Sequence, residues 1–237
     1  MQEASSVPDF DIHQFKTVMT QEPTQENGWT LQYEGPVDLE FPDSTIKTYK
    51  KRNDAASGFT MRIDAVLKGV KAENIVTMQR DISYRGKIGK PPKQIKVVEK
   101  TSKNSDIIYI ELGFPFPMTN RDIVQKRLFV SNKQDPELVQ KLGLFDRSHA
   151  YHAVLIQSTE HKEYPTKEKP IRAETQMYHT LVEEDPNNKN VVKMKMVIQQ
   201  QLNGDIPKVM INALGSKMPK TMITGLLTAQ KKYFAKS

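Results

Sequence analysis

The stretch GFPFPMTNRDIVQKR, residues 113–127, poses two structural demands in fifteen residues. Its first half sets Phe114, Phe116 and Met118 among Pro115 and Pro117. Proline has no N–H to give a sheet ladder, so these residues predict a loop with an apolar surface. Its second half begins a strand, Arg121–Val130, rich in β-branched and aromatic residues, and Ile107–Gly113 reads as the strand before it. If the two strands pair antiparallel about Thr119, Glu111 faces Arg127, Tyr109 faces Phe129 and Gly113 faces Gln125. A carboxylate and a guanidinium among apolar neighbours then form an internal ion pair. Such a pair is costly to bury. It is either structural or the polar floor of a greasy cavity that holds water, a ligand hydroxyl or a headgroup.

Outward from that hairpin the chain alternates strand and turn. Thr30–Tyr33, Thr45–Arg52 and Gly58–Leu67 read as strands, the last with Phe59, Met61, Ile63, Ala65 and Leu67 in strict alternation. Further strands are expected at Ile95–Lys100, Ala153–Thr159, Ile171–Val182 and Val191–Gln201, the last two joined by the turn-rich EEDPNNKN. Helices are predicted at Phe10–Met19, at Ala72–Ser83 and, interrupted or kinked near Gly215 and Pro219, at 207–234. Residues 132–150 look like an insertion with a short helix. The fold class is α+β: one domain over 1–237, a curved antiparallel sheet of about nine strands wrapped around a long C-terminal helix. Alternating strands that long, with one helix to cover them, leave space between sheet and helix.

Charge is distributed unevenly along this frame. Residues 1–46 carry nine acids and one Lys, whereas 206–237 carry six Lys and no acid, within a net charge of +7. The terminal helix sets Met222, Ile223, Leu226, Leu227, Tyr233 and Phe234 on an apolar stripe. Lys208, Lys217, Lys220, Lys231 and Lys232 lie along it, as a solubilising core-helix face or as a contact for an anionic membrane. The tail holds Lys without Arg or interleaved aromatics, which argues against nucleic acid. Met194 and Met196 share a strand face with Val192 and Ile198, as core filling or as the adaptable wall of a cavity. No G-x-S-x-G, Walker loop or H-E-x-x-H occurs, and His149 and His152 have no acidic cluster beside them. No metal or cofactor is expected. Cys is absent, in keeping with a reducing compartment. No apolar run of 18 residues predicts a membrane span, and MQEASSVPDFDIH does not read as a leader.

PFPMTNRDIVQKR (115–127) resembles the P-F-P-x-x-N-R-D-x-V-x-x-R core of START domains, nearest the phosphatidylcholine-transfer branch. ENGW (26–29), DISYR (81–85), IRAE (171–174) and NGDIPKVMINAL (203–214) resemble further family segments, in order and at matching spacing. The resemblance implies a helix-grip fold with a lipid tunnel between sheet and terminal helix. It makes the proline-rich loop a gate, with Phe114, Phe116, Met118 and Ile211. The expected lipid-binding set is Arg85, Tyr109, Glu111, Arg127, Tyr178, Met194 and Met196, in which the resemblance makes Arg85 the phosphate contact and Glu111–Arg127 the internal acid–arginine pair. Arg121 and Asp122 match an Arg-Asp that is more often structural. Ile88 and Gly89 stand where the family has Trp and Asp, and Ile110, Ile123 and Gln176 occupy the aromatic-cage positions. A cage without aromatics cannot hold a quaternary ammonium by cation–π contact, although Tyr109, Tyr178 or Tyr151 could substitute. The expected function is a monomeric cytoplasmic carrier, peripheral at membranes, that moves one lipid, a phospholipid before a sterol. The alternative is a helix-grip hydrolase or cyclase using Glu111 and Arg127 as acid and base.

Overall fold

The computed structural model describes residues 9–51, 57–86, 88 and 91–234, and only the backbone of Lys189 and of 213–216. Arg52, Gly89 and Lys236, used in the sequence reading, lie outside the described residues.

Among the described residues ten strands form one sheet: β1 Trp29–Pro36, β2 Thr45–Lys51, β3 Gly58–Lys68, β4 Gln94–Ser102, β5 Ser105–Leu112, β6 Arg121–Ser131, β7 Tyr151–Ser158, β8 Ile171–Arg172, β9 Glu174–Asp185 and β10 Asn188–Gln201. Nine run in the order β1-β2-β3-β10-β9-β7-β6-β5-β4, and every pair along this path is antiparallel. The single strand expected at Ile171–Val182 is two. The short β8 pairs parallel with β6, and the Ala173 N–H bonds Asp122 O before β9 begins.

Four α-helices among the described residues cover the sheet: α1 Ile12–Thr20, α2 Ala72–Arg80, α3 Pro136–Leu142 and α4 Lys208–Tyr233. Asp11 caps α1 by accepting the Gln14 N–H at 2.7 Å. Gly143, at φ 61°, closes α3 in the left-handed region. α2 ends at Arg80, and Ile82–Tyr84 continue as a 3₁₀ turn. α4 runs unbroken through Gly215 and Pro219, where an interruption was expected. Buried Pro219 costs it one intrahelical hydrogen bond, which packing of the apolar stripe offsets.

Strand alternation sorts the core into two layers. On the inner face Met61, Ile63, Leu67, Val154, Val182, Met194 and Met196 meet α2 and the α4 residues Ile223, Leu226 and Leu227. On the outer face Leu128, Val130, Leu155, Leu181 and Val197 meet Phe15 and Met19 of α1 and the segment around α3. At about 25 cal/mol per Å² of apolar area, layers of this size outweigh any single polar contact. The inner face is the gripped one.

Candidate functional site

The hairpin that opened the sequence reading pairs in a different register. β5 ends at Leu112 and β6 starts at Arg121, so the turn centres between Phe116 and Pro117 rather than at Thr119. Asn120 brackets the loop with its side chain instead of joining the ladder. It accepts the Phe114 N–H at 3.3 Å and donates to Glu111 Oε1 at 2.9 Å. The partner of Arg127 is therefore Asp106, five residues from Glu111. An odd displacement turns a strand over. Glu111 and Tyr109 consequently lie on the outer face, opposite Asp122 and Val124, and the expected Glu111–Arg127 pair does not form. Tyr109 stacks on Tyr164 at 4.5 Å instead. Tyr151 is also on the outer layer, its hydroxyl donating to Phe145 O at 2.9 Å.

Arg127 stays inside, but it is fully engaged. It donates to both Asp106 oxygens, at 2.6 and 2.7 Å, and to the carbonyls of Gln79 and Arg80, at 3.0 and 3.1 Å. These carbonyls end α2, where the helix dipole favours a cation. The expected polar floor is a tie between β6 and α2.

Four more of the expected lipid-binding residues share the inner layer or its margin. Tyr178, Met194 and Met196 are buried there, and the Arg85 guanidinium stands 5.9 Å from the Tyr178 ring centre. Ile110 and Ile123 are cross-strand neighbours on the same face. Sequence reasoning passed over the polar groups between them and the helices. Gln79 Nε2 donates to the buried Thr180 hydroxyl at 3.3 Å, and Gln230 Oε1 is buried on α4 without a hydrogen-bond partner among the described residues. Isolated glutamines on polar-looking helix turns carry no sequence signal.

The loop forms one rim of this layer. Phe114 is half-buried beneath the Arg121 guanidinium, 5.0 Å from its ring centre, while Phe116 is 96% exposed. Met118 lines a cleft of about 560 Å³ with Pro117, Thr119, Ile171 and the lead-in to α4, Asp205–Pro207. Ile211 is buried in the first turns of α4, and neighbouring Val209 is 74% exposed. Arg121 crosses between the two sides. It donates to Thr119 O on the loop, and to Leu202 O at 3.2 Å and Asn203 O at 2.8 Å before α4. Burial lowers its pKa, with Asp205 opposing weakly. Along α4, Lys208, Lys217, Lys220, Lys231 and Lys232 are all exposed. No helix among the described residues is long and apolar enough to cross a membrane. No group of three His, Asp or Glu among them could hold a metal ion.

The START domain profile matches residues 16–231. The chain belongs to the START domain family. Among curated proteins this START domain is similar to the phosphatidylcholine transfer protein of Bos taurus, at 24% identity over 70% of this chain and 71% of that one. The phosphatidylcholine transfer protein of Mus musculus is 24% identical, over 82% of this chain and 83% of its own. Among solved structures, human StAR-related lipid transfer protein 5 superposes with a TM-score of 0.70 at 12% identity, covering 94% of each chain. Human STARD10 superposes with a TM-score of 0.67 at 20% identity, over all of this chain and 88% of that one. At these identities the structural likeness shows the fold.

Proposed function

We propose that this START domain carries one lipid, a phospholipid, between the sheet and α4, and exchanges it at membranes through the rim formed by residues 113–120 and α4. The gate carries this reading. Clustered exposed apolar side chains mark interaction sites, and the rim pairs Val209, 74% exposed, with Phe116, 96% exposed. The loop stands beside the lead-in to α4, whose outward side carries exposed lysines. Apolar insertion by Phe116 and Val209, with attraction of Lys208, Lys217, Lys220, Lys231 and Lys232 to anionic lipid at about 1 kcal/mol each, gives reversible adsorption. The names of the curated relatives point to the same cargo class.

A two-tailed phospholipid has roughly 30 methylenes, and exposing them at ~0.8 kcal/mol each costs on the order of 24 kcal/mol. Spontaneous transfer is slow for that reason, and a carrier speeds it by offering an apolar enclosure of comparable quality. Arg85 above Tyr178 is the phosphate contact in this reading, and Met194 and Met196 line the chains. The lipid leaves chemically unchanged. The acid–base pair on which an enzymatic reading leaned is not formed, since Glu111 and Arg127 lie on opposite faces. The working form is a monomer that visits membranes from the cytoplasm.

Transfer of a fluorescent phospholipid between vesicles tests the gate. Phe116→Asp removes an insertion of roughly 1.5–3 kcal/mol, so transfer falls about tenfold or more. Transfer at the unmodified rate removes the loop from the account.

A further inference from the structure

A second cleft, of about 640 Å³, opens between the β1–β2 edge and the outward side of α4. Its walls include Tyr33, Asp38, Thr48, Lys217, Lys220 and Thr224. We propose that this cleft binds a phosphate monoester, with the Lys217 and Lys220 ammonium groups on the phosphate and the Thr48 hydroxyl donating to one of its oxygens.

The Thr48 hydroxyl is the feature that plain surface charge does not explain. Thr48 lies on the inner face of β2 beside Tyr33 and is 1% exposed, yet its Oγ1 has no hydrogen-bond partner among the described residues. A buried hydroxyl left unmade costs about 1–3 kcal/mol, so a site that retains one has a use for it or a water on it. Valine at this position would fill the same space without that cost. Across the cleft, neither Lys217 nor Lys220 forms an ion pair among the described residues. Lys220 is held with its ammonium 5.0 Å from the Tyr33 ring centre. Tyr33 is itself fixed, because its hydroxyl donates to Pro36 O at 2.7 Å. The cation is therefore placed before any ligand arrives.

The number of free ligand oxygens decides between ligands, because part of the lysine charge is offset by Asp38. Its carboxylate stands on the same wall, with one oxygen accepting the Leu39 N–H at 2.6 Å. Two cations against one carboxylate leave a single net positive charge. A phosphodiester, with one charge and two blocked oxygens, gains little there. A monoester brings more charge and three free oxygens, enough to engage both lysines and the hydroxyl together. A lipid whose headgroup is a bare phosphate and a small soluble phosphate ester share this chemistry.

The test is co-flotation of the full chain with phosphatidylcholine vesicles containing phosphatidic acid, or phosphatidylglycerol adjusted to equal surface charge. Phosphatidic acid is expected to be preferred, and Thr48→Val to lose about tenfold on those vesicles. Binding to phosphatidylglycerol should not change. Thr48→Val removes an unsatisfied hydroxyl, so it is expected to fold, and its thermal melt checks this. The double variant Lys217→Gln/Lys220→Gln weakens both vesicle types and abolishes the preference. Competition by glycerol 3-phosphate supports the soluble source; a preference that it leaves intact supports the lipid source. Equal binding to the two vesicle types, or a Thr48→Val protein that keeps the preference, overturns the site. The lipid source rests on the membrane docking proposed above. Transfer between neutral phosphatidylcholine vesicles needs no monoester, so intact neutral transfer with no preference defeats this site and spares the carrier reading.

Discussion

Arg121 and Arg127 stand six residues apart on the inner face of one strand, and both are almost fully buried, at 1% and 2% exposure. Their charges are answered differently. Arg127 grips Asp106 with two hydrogen bonds and closes the carbonyl end of α2. Arg121 donates to three carbonyls, one on the proline-rich loop and two ahead of α4. A charge neutralised by a carboxylate of its own sheet is fixed for the life of the fold. One spread over the dipoles of two peripheral segments can be released segment by segment. The α2 end of β6 is anchored by charge, and in the proposed carrier cycle the loop end is the one that opens.

The largest break in this contrast is Asp106→Ala. It leaves Arg127 buried without its counter-charge and should cost about 3–5 kcal/mol in urea unfolding. A loss under about 1 kcal/mol would mean that Arg127 is not anchored as described. Next comes a group on the outer layer whose burial outweighs the pull of the nearby Asp11 carboxylate. His179 lies against Phe15, with ring centres 5.5 Å apart, and its Nδ1 has no hydrogen-bond partner among the described residues. Burial lowers its pKa to about 4, against the usual 6.5. A depressed histidine pKa means that the unfolded chain binds the extra proton between those values. Its contribution is whole above pH 6.5 and is lost as pH falls towards 4, by up to roughly 1.4 kcal/mol per pH unit. His179→Phe should flatten this part of the acid limb; an unchanged slope places the titration elsewhere.

The architecture was legible because its signal is repeated. Alternation through 59–67, the Met194 and Met196 face and the apolar stripe of α4 each report burial many times over, and all three meet in one layer. The site was legible in part. Arg85 and Tyr178 come together, whereas Tyr109 and Glu111 turn away. That error had one source. A strand register depends on where a turn closes, and here a proline pair and the Asn120 bracket move the centre towards Phe116. Neither device has a period that strand patterning can detect. Asp106 shares its face with Ile108 and Ile110, so alternation alone could have named it as the acid for Arg127. Arg121 binds carbonyls of residues some 80 positions later, and no local pattern encodes such contacts.

Two smaller effects sharpen the contrast. Arg121→Lys keeps the charge but loses the fork that spans loop and helix, at about 1–2 kcal/mol. Hydrogen exchange should quicken at 113–120 and 202–207 and stay unchanged in β5. Uniform quickening across both regions would deny Arg121 a local role. Phe116→Asp should change unfolding stability by less than about 0.5 kcal/mol, since the ring touches little in the folded state. A large loss of stability would show that the ring is packed.

The central claim is that the inner layer encloses a lipid. Native mass spectrometry of the full chain, purified from a cell extract without detergent, tests it most directly. The account predicts a population heavier than the bare chain by the mass of one phospholipid, released as an intact and unmodified molecule. The bare mass alone, unchanged after incubation with phospholipid vesicles, would contradict it.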